Sequence, residues 1–309
     1  MTKTAFIFPG QGSQSVGMLA DFADSTAVKQ TFQEASGALS MDLWQLCQDG
    51  PDSALNQTEN TQPLLLASGV ALWRLWEQSG GPRPAYLAGH SLGEYTALTC
   101  AGVLNLGDAV RLVRRRGELM QQAVPADQGG MAAILGLSDD AVRQACEQAQ
   151  QGGVVEAVNF NAPGQVVIAG DKEAVARAIE ACKDAGAKRA MPLPVSVPSH
   201  CALMQPAADA MKDDLAAVRL HAPEMPVVNN VDVAVVADAE GIKQALVRQL
   251  YSPVRWVETV QWLQNNGVSH CYECGPGKVL SGLLKRIDKT LQARPLENKA
   301  AFDSALKGE

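Results

Sequence analysis

The chain has 309 residues, 47% of them hydrophobic and 19% charged, with a formal net charge of -7. That length can bury a large core and suits one large domain with a smaller one inserted. The acidic balance argues against nucleic acid or an anionic membrane surface as a partner. No apolar run reaches the roughly 20 residues of a membrane span, and the turn at Pro9-Gly10 comes too early for a secretory leader. A cytoplasmic location is expected. The seven cysteines agree, because scattered singles at 47, 100, 146, 182, 201, 271 and 274 suit a reducing compartment better than a disulfide framework.

In chain order, Thr4 to Phe8 reads as a strand and leads into Gly10-Gln11-Gly12-Ser13-Gln14-Ser15-Val16-Gly17. As a dinucleotide fingerprint this loop fails, since Ser15 stands where the third glycine belongs. A loop after an early strand can instead bring a backbone N–H to a reacting carbonyl, and Gln11 is the candidate. Gln62 to Glu77 is apolar nearly all round and reads as a buried helix. Next, Ala85-Tyr86-Leu87-Ala88 runs into Gly89-His90-Ser91-Leu92-Gly93-Glu94 and on into a helical stretch, Tyr95 to Cys100. Strand, Gly-x-Ser-x-Gly, helix is the setting of a nucleophile elbow. The glycines keep the flanks of the tight turn clear. The Ser91 hydroxyl is pushed out at the positive end of the helix, where an oxyanion is most easily held. The Leu92 amide is the second donor beside that of Gln11.

Asp108 to Ala123 is the next helix, and its inward stripe runs through 109, 112, 113, 116, 120 and 123. Position 116 is an arginine. An unpaired buried guanidinium costs on the order of 3–5 kcal/mol, so Arg116 should meet an anion. That anion is either a protein carboxylate or a substrate carboxylate gripped by the planar fork. The middle of the chain then changes character. Met131 to Leu135, Val154 to Asn159, Gln165 to Ala169 and Lys188 to Leu193 read as strands, with helices over Asp139 to Gln150 and Lys172 to Ala185. The order β-α-β-β-α-β is the ferredoxin-like pattern. The expected architecture is α/β: a large domain of residues 1-124 and 198-309 with a mostly parallel sheet, and an inserted small domain of residues 125-197. A ligand cleft between them is expected.

Ser91 needs a general base, because a free serine hydroxyl is a weak nucleophile. Of the four histidines, His90 is adjacent and should diverge on the sharp turn. His221 sits in a surface-like turn, and His270 lies inside an extended stretch, Val268 to Tyr272. His200 ends the run Val195-Ser196-Val197-Pro198-Ser199, where the chain re-enters the large domain. It is the candidate base. It needs an acceptor to fix its tautomer, and the residues after it leave that acceptor open. Cys201 to Ala217, Gly241 to Leu250 and Pro253 to Asn265 read as helices. Cys271-Tyr272-Glu273-Cys274 is formally CxxC, but it lacks a second ligand pair, and strand alternation sends its two sulfurs to opposite faces. No metal site is expected. Gly275-Pro276-Gly277-Lys278 fails as a P-loop, having Val279 where Ser or Thr must bind magnesium.

Phe8-Pro9-Gly10-Gln11-Gly12-Ser13-Gln14, Gly89-His90-Ser91-Leu92-Gly93-Glu94, Arg116-Gly117, Val197-Pro198-Ser199-His200 and Gly275-Pro276-Gly277-Lys278 occur together in this order. The set resembles the malonyl-CoA:acyl carrier protein transacylases of bacterial fatty acid synthesis, from Thr4 to about Ile287. The resemblance implies an α/β-hydrolase-like large domain and an inserted ferredoxin-like small one. It implies Ser91 as nucleophile, His200 as base, Arg116 as the malonyl-binding residue and the amides of Gln11 and Leu92 as the oxyanion hole. It also implies that Gln249 orients His200, through its side chain or its backbone carbonyl. The expected reaction moves malonyl from coenzyme A to the phosphopantetheine thiol of acyl carrier protein through a malonyl-serine intermediate. No cofactor beyond these substrates is expected, and the chain is expected to be a monomer. The acidic carrier would dock on a local basic patch, either Arg111, Arg114 and Arg115 or Lys188 and Arg189. Two rival readings share the elbow: a serine esterase or thioesterase using the same Ser91–His200 pair, and an inactive carrier-docking module.

Overall fold

The computed structural model describes residues 3–125, 127–195 and 197–308. Ser196, in the proline-rich run, and the outermost residues of the expected large domain lie outside the described residues. The first strand, β1 (Lys3–Phe8), buries both faces: Phe6 and Phe8 join one apolar cluster, Ala5 and Ile7 another. That two-sided burial is what a parallel sheet demands of a central strand. Four helices follow, α1 (Thr26–Leu39), α2 (Leu43–Asp49), α3 (Asp52–Leu55) and α4 (Thr58–Gln78). The last begins ahead of the expected Gln62 and carries Pro63 inside it. A proline reads as a helix start, but Thr58, Asn60 and Thr61 are themselves buried and extend the helix backwards. Then come β2 (Tyr86–Gly89), α5 (Leu92–Cys100) and α6 (Leu106–Ala123).

The middle of the chain forms β3 (Gly129–Leu135), α7 (Asp139–Ala149), β4 (Val155–Ala162), β5 (Gln165–Asp171), α8 (Lys172–Asp184) and β6 (Arg189–Pro192). These strands make a separate sheet, ordered β4-β5-β3-β6, with every neighbouring pair antiparallel. Ile134, Val155 and Ile168 pack on one face under Val142 of α7 and Val175 of α8. The other face, with Met131, Val158, Val167 and Ala169, packs on Cys201, the residue after His200.

The chain then returns through a short 3-10 turn, Ala202–Met204, into α9 (Gln205–Ala217), so the helix expected from Cys201 starts later. It continues with β7 (Val227–Val228), α10 (Ala239–Gln249), α11 (Trp256–Asn265), β8 (Val268–Glu273), α12 (Val279–Ile287), β9 (Gln292–Pro295) and α13 (Lys299–Leu306). The helix expected from Pro253 begins only at Trp256, because Val254 is extended and bridges to β4. Its N–H donates to Val158 O at 2.8 Å, and its carbonyl accepts from Phe160 N at 3.0 Å.

The main sheet is parallel throughout, in the order β7-β2-β1-β8-β9. Phe8 at the end of β1 stands opposite Gly89 at the end of β2. The loop after β1 and the turn after β2 therefore leave the same carboxyl edge side by side, which is where open α/β sheets place their ligands. Two motifs take structural roles. Cys271 and Cys274 fall into different apolar clusters, and all seven cysteines are free and buried. Burial pushes the Cys271 thiol up to about 12, which leaves it unreactive at neutral pH. After β8, the Gly275–Lys278 loop turns the chain so that Glu273 caps α12. Its carboxylate accepts from Leu280 N at 2.9 Å and Ser281 N at 2.7 Å. A protein acid therefore occupies the amides that a phosphate-binding helix would leave open. Among the described residues, no helix is long and apolar enough to cross a membrane.

Candidate active site

Ser91 joins β2 to α5 with φ 52° and ψ -109°, a backbone state that costs a non-glycine residue on the order of 1–3 kcal/mol. The flanking glycines make the turn possible. A Cβ on Gly89 would lie 1.9 Å from the Gly93 backbone, and one on Gly93 would lie 2.0 Å from Phe8 O. Asn230, fully buried just beyond β7, grips the turn from both sides. Its Oδ1 accepts from the Ser91 N–H at 2.7 Å, and its Nδ2 donates to Gly89 O at 2.6 Å. Leu92 opens α5, so its N–H has no intrahelical acceptor. The loop after β1 is pressed against the elbow: a Cβ on Gly10 would lie 2.5 Å from His90 O. That contact sets Gln11 beside the turn. Its side chain is exposed and reaches Thr58 Oγ1 at 3.5 Å.

His200 Nε2 lies 2.8 Å from Ser91 Oγ, and His200 Nδ1 lies 2.7 Å from the backbone oxygen of Gln249. A carbonyl can only accept. The Nδ1 therefore carries the proton, and Nε2 is left to accept from the serine hydroxyl. The His200 backbone is left-handed, φ 67°, and its N–H donates to Leu250 O at 3.1 Å. Burial, reinforced by the charge of Arg116, pushes this imidazole down to about 3, so it is neutral at physiological pH. The other histidines go elsewhere. His90 turns its Nε2 to Asn161 Oδ1 of β4 at 2.8 Å, His221 is exposed, and His270 meets Ser269 Oγ at 2.8 Å.

Arg116, on the inward stripe of α6, is 2% exposed. Its Nη1 donates to Gln62 Oε1 at 2.8 Å, and its Nη2 donates to Gln249 Oε1 at 3.0 Å and to Ser91 Oγ at 3.2 Å. Its carbon centre lies 5.4 Å from the Tyr95 ring centroid, and its Nε has no partner among the described residues. Every hydrogen-bond partner of this guanidinium is neutral. Of the two anions left open by the sequence, no protein carboxylate among the described residues touches it. The nearest acid, Glu94, is one residue removed: its Oε2 accepts from Gln249 Nε2 at 2.8 Å. Burial pushes the Glu94 carboxyl up to about 7. Of the arginines expected at the surface, Arg111 pairs with Asp108, Arg114 with Glu118 and Arg115 with Asp214. Lys188 and Arg189 are exposed.

The structure thus brings Ser91, His200, Arg116 and both functional groups of Gln249 to one point, with Leu92 and the Gln11 loop adjoining. Three partners escaped the sequence reading: Gln62, Glu94 and Asn230. Gln62 and Glu94 left a signal, since each is a long polar residue in a helical stretch that is mostly apolar. Asn230 left none, because β7 is too short to show a pattern.

A strained serine against a neutral imidazole, with amides nearby for a developing oxyanion, has the chemistry of acyl transfer. The chain belongs to the acyl transferase domain family, whose profile matches residues 5–293. Within it, the curated relatives carry a narrower name. The malonyl CoA-acyl carrier protein transacylase of Salmonella typhimurium is 61% identical over 307 residues, 99% of each chain. Among solved structures, an acyl carrier protein S-malonyltransferase from Vibrio cholerae is 60% identical. It superposes with a TM-score of 0.97, covering 98% of this chain and 100% of its own. A malonyl-transacylase in complex with its type II PKS acyl carrier protein is 55% identical, with a TM-score of 0.98 over 100% of both chains.

Proposed function

We propose that this chain is an [acyl-carrier-protein] S-malonyltransferase, moving malonyl from coenzyme A to the phosphopantetheine thiol of acyl carrier protein in fatty acid synthesis. The observation that carries the reading is the shared contact at Ser91 Oγ: the His200 base at 2.8 Å and the Arg116 guanidinium at 3.2 Å. His200 Nε2 takes the hydroxyl proton as Oγ attacks the thioester carbon. The Nδ1–H stays on the Gln249 carbonyl and steadies the imidazolium. The Gln11 and Leu92 amides hold the tetrahedral oxyanion. As it collapses, the C–S bond breaks and His200 returns its proton to the departing thiolate. Malonyl is left as an ester on Ser91. The carrier thiol then loses its proton to His200, attacks the ester carbon and leaves with malonyl, and the proton goes back to Ser91 Oγ. Each step uses only this chain's residues and the two substrates. The Arg116 fork, held by the neutral oxygens of Gln62 and Gln249, offers a buried positive charge to the malonyl carboxylate.

The same reading assigns residues 125-197 to a ferredoxin-like small domain inserted in an α/β-hydrolase-like large one. The β-α-β-β-α-β order and the β4-β5-β3-β6 sheet support this. Seven free, buried cysteines favour a cytoplasmic enzyme. The reading also puts the carrier on the edge with Lys188 and Arg189, since Arg111, Arg114 and Arg115 are tied to acids. The test is intact mass after mixing with malonyl-CoA. A malonyl adduct on Ser91 that carrier protein discharges faster than water supports transfer. An adduct that persists in Ser91→Ala overturns the site.

A further inference from the structure

The Gln249 side chain has an orientation that must be chosen. Its Oε1 accepts from Arg116 Nη2 at 3.0 Å, while its Nε2 donates to Ser91 O at 3.0 Å and to Glu94 Oε2 at 2.8 Å. Turned end for end, the amide would set an NH2 against the guanidinium and an oxygen against a carboxylate. Arg116 presents only donors, and Glu94 Oε2 meets the amide as an acceptor. The two side chains therefore fix the amide between them. Glu94 Oε2 also accepts from Asn230 N at 3.0 Å, and the Asn230 side chain is the clamp on Gly89 and Ser91. Glu94 is 2% exposed, Asn230 and Gln249 not at all. One carboxylate oxygen thus sets two arms, one ending on the carboxylate clamp and the other on the nucleophile's turn.

We propose that Glu94 is a positioning residue for the transfer reaction. Through the Gln249 amide it aims the Arg116 fork at the substrate carboxylate, and through Asn230 it holds the elbow. This rests on the malonyl-transfer reading above. The first arm sets the fork, so it weighs most on a substrate bearing a free carboxylate, whereas the second, like the Gln249 Nε2 bond to Ser91 O, serves any acyl group. A purely structural residue would not distinguish the two.

The test compares malonyl-CoA with acetyl-CoA as acyl donor, reading the rate of acyl-Ser91 formation by rapid-quench intact mass in the full chain. Glu94→Ala should slow both donors, with malonyl slowed about tenfold more than acetyl. Glu94→Leu, which fills the volume but accepts nothing, should show the same loss of selectivity and keeps the comparison free of cavity collapse. Glu94→Gln keeps an oxygen for both Asn230 N and Gln249 Nε2. It should restore the malonyl-to-acetyl ratio to within about threefold of the unaltered chain. Equal slowing of both donors in the Ala and Leu variants, or a Gln variant as unselective as Ala, overturns the proposal. Failure of the unaltered chain to acylate Ser91 with malonyl would instead overturn the transfer reading itself.

Discussion

Arg116 and Ser91 are in direct contact, Nη2 to Oγ at 3.2 Å. In the proposed transfer reaction the carboxylate clamp and the nucleophile are thus one hydrogen bond apart, which sets the length of the acyl group the site can use. In malonyl a single methylene separates the carboxylate from the reacting carbonyl. A substrate held by the fork therefore brings its thioester carbon to Oγ without folding back. Succinyl, one methylene longer, must buckle or leave the fork. Succinyl-CoA should acylate Ser91 at least about 100-fold more slowly than malonyl-CoA, since a misplaced reacting atom forfeits most of the benefit of orientation. Comparable rates for the two, measured by adduct mass in single turnover, would contradict this geometry.

Replacing the guanidinium separates transferase from esterase. In the proposed reaction Arg116→Ala deletes two charge-assisted bonds to the malonyl carboxylate, each worth about 1.5–3 kcal/mol. The kcat/KM for malonyl-CoA should fall by roughly 100-fold or more, while acylation by acetyl-CoA holds or rises. Arg116→Lys keeps the charge but loses the fork, so it should recover only part of the loss. An esterase sharing the Ser91–His200 pair would show little change with either donor.

Two buried groups give the chain a distinctive dependence of stability on pH. His200 is held down to about 3 from an ordinary value of 6.5. The unfolded chain therefore binds its proton more readily, and stability contributed by His200 is lost as pH falls from about 6.5 towards 3. Glu94 is raised to about 7 from 4.5. Here the folded chain binds the proton more readily, and stability is lost as pH rises from about 4.5 through 7. Between about pH 4.5 and 6.5 the two slopes oppose each other. Glu94→Gln should expose the His200 slope, with stability climbing with pH by up to about 1.4 kcal/mol per unit in that window. His200→Ala should expose the reverse slope. Urea denaturation at several pH values checks both signs, and parallel curves for the two variants would show that neither group titrates this way.

The sequence declares some of this site and conceals the rest for physical reasons. Ser91 and Arg116 are legible because each violates a local rule. One is a serine between glycines at a strand-helix junction, and the other is a charge on an apolar stripe. His200 is legible by elimination among few histidines. Gln249 is found only through family resemblance, because its decisive contribution to His200 is a backbone carbonyl, and any residue supplies one. Asn230 acts across 139 positions on Ser91 and 141 on Gly89, through a contact that no local pattern encodes. The small sheet is legible because three of its strands are short apolar runs bounded by turns, and its helices are amphipathic. Edge strand β9, reading Gln292-Ala293-Arg294-Pro295, is partly exposed and carries no such alternation.

Gly117, next to Arg116 on α6, ties the clamp to the packing of α4. In an open helix, replacing glycine by alanine stabilises by up to about 1 kcal/mol. At Gly117 the added Cβ would lie 2.7 Å from Glu59 Cα and 2.8 Å from Thr58 O. These are backbone atoms in the first turn of α4, so they cannot swing aside as a side chain would. Overpacking of this kind costs about 1–3 kcal/mol, enough to reverse the helix gain. Relief of the clash must push α4 away from α6, and Gln62 rides on α4 with its Oε1 2.8 Å from Arg116 Nη1. Gly117→Ala should therefore lower the melting temperature and raise the KM for malonyl-CoA more than it changes acylation by acetyl-CoA. Gly37, in α1, is the control, because a Cβ there meets nothing within 4 Å. Gly37→Ala should stabilise by about 0.5–1 kcal/mol and leave both donors unaffected. If Gly117→Ala behaves like Gly37→Ala, the close approach of the two helices does not set the position of Arg116.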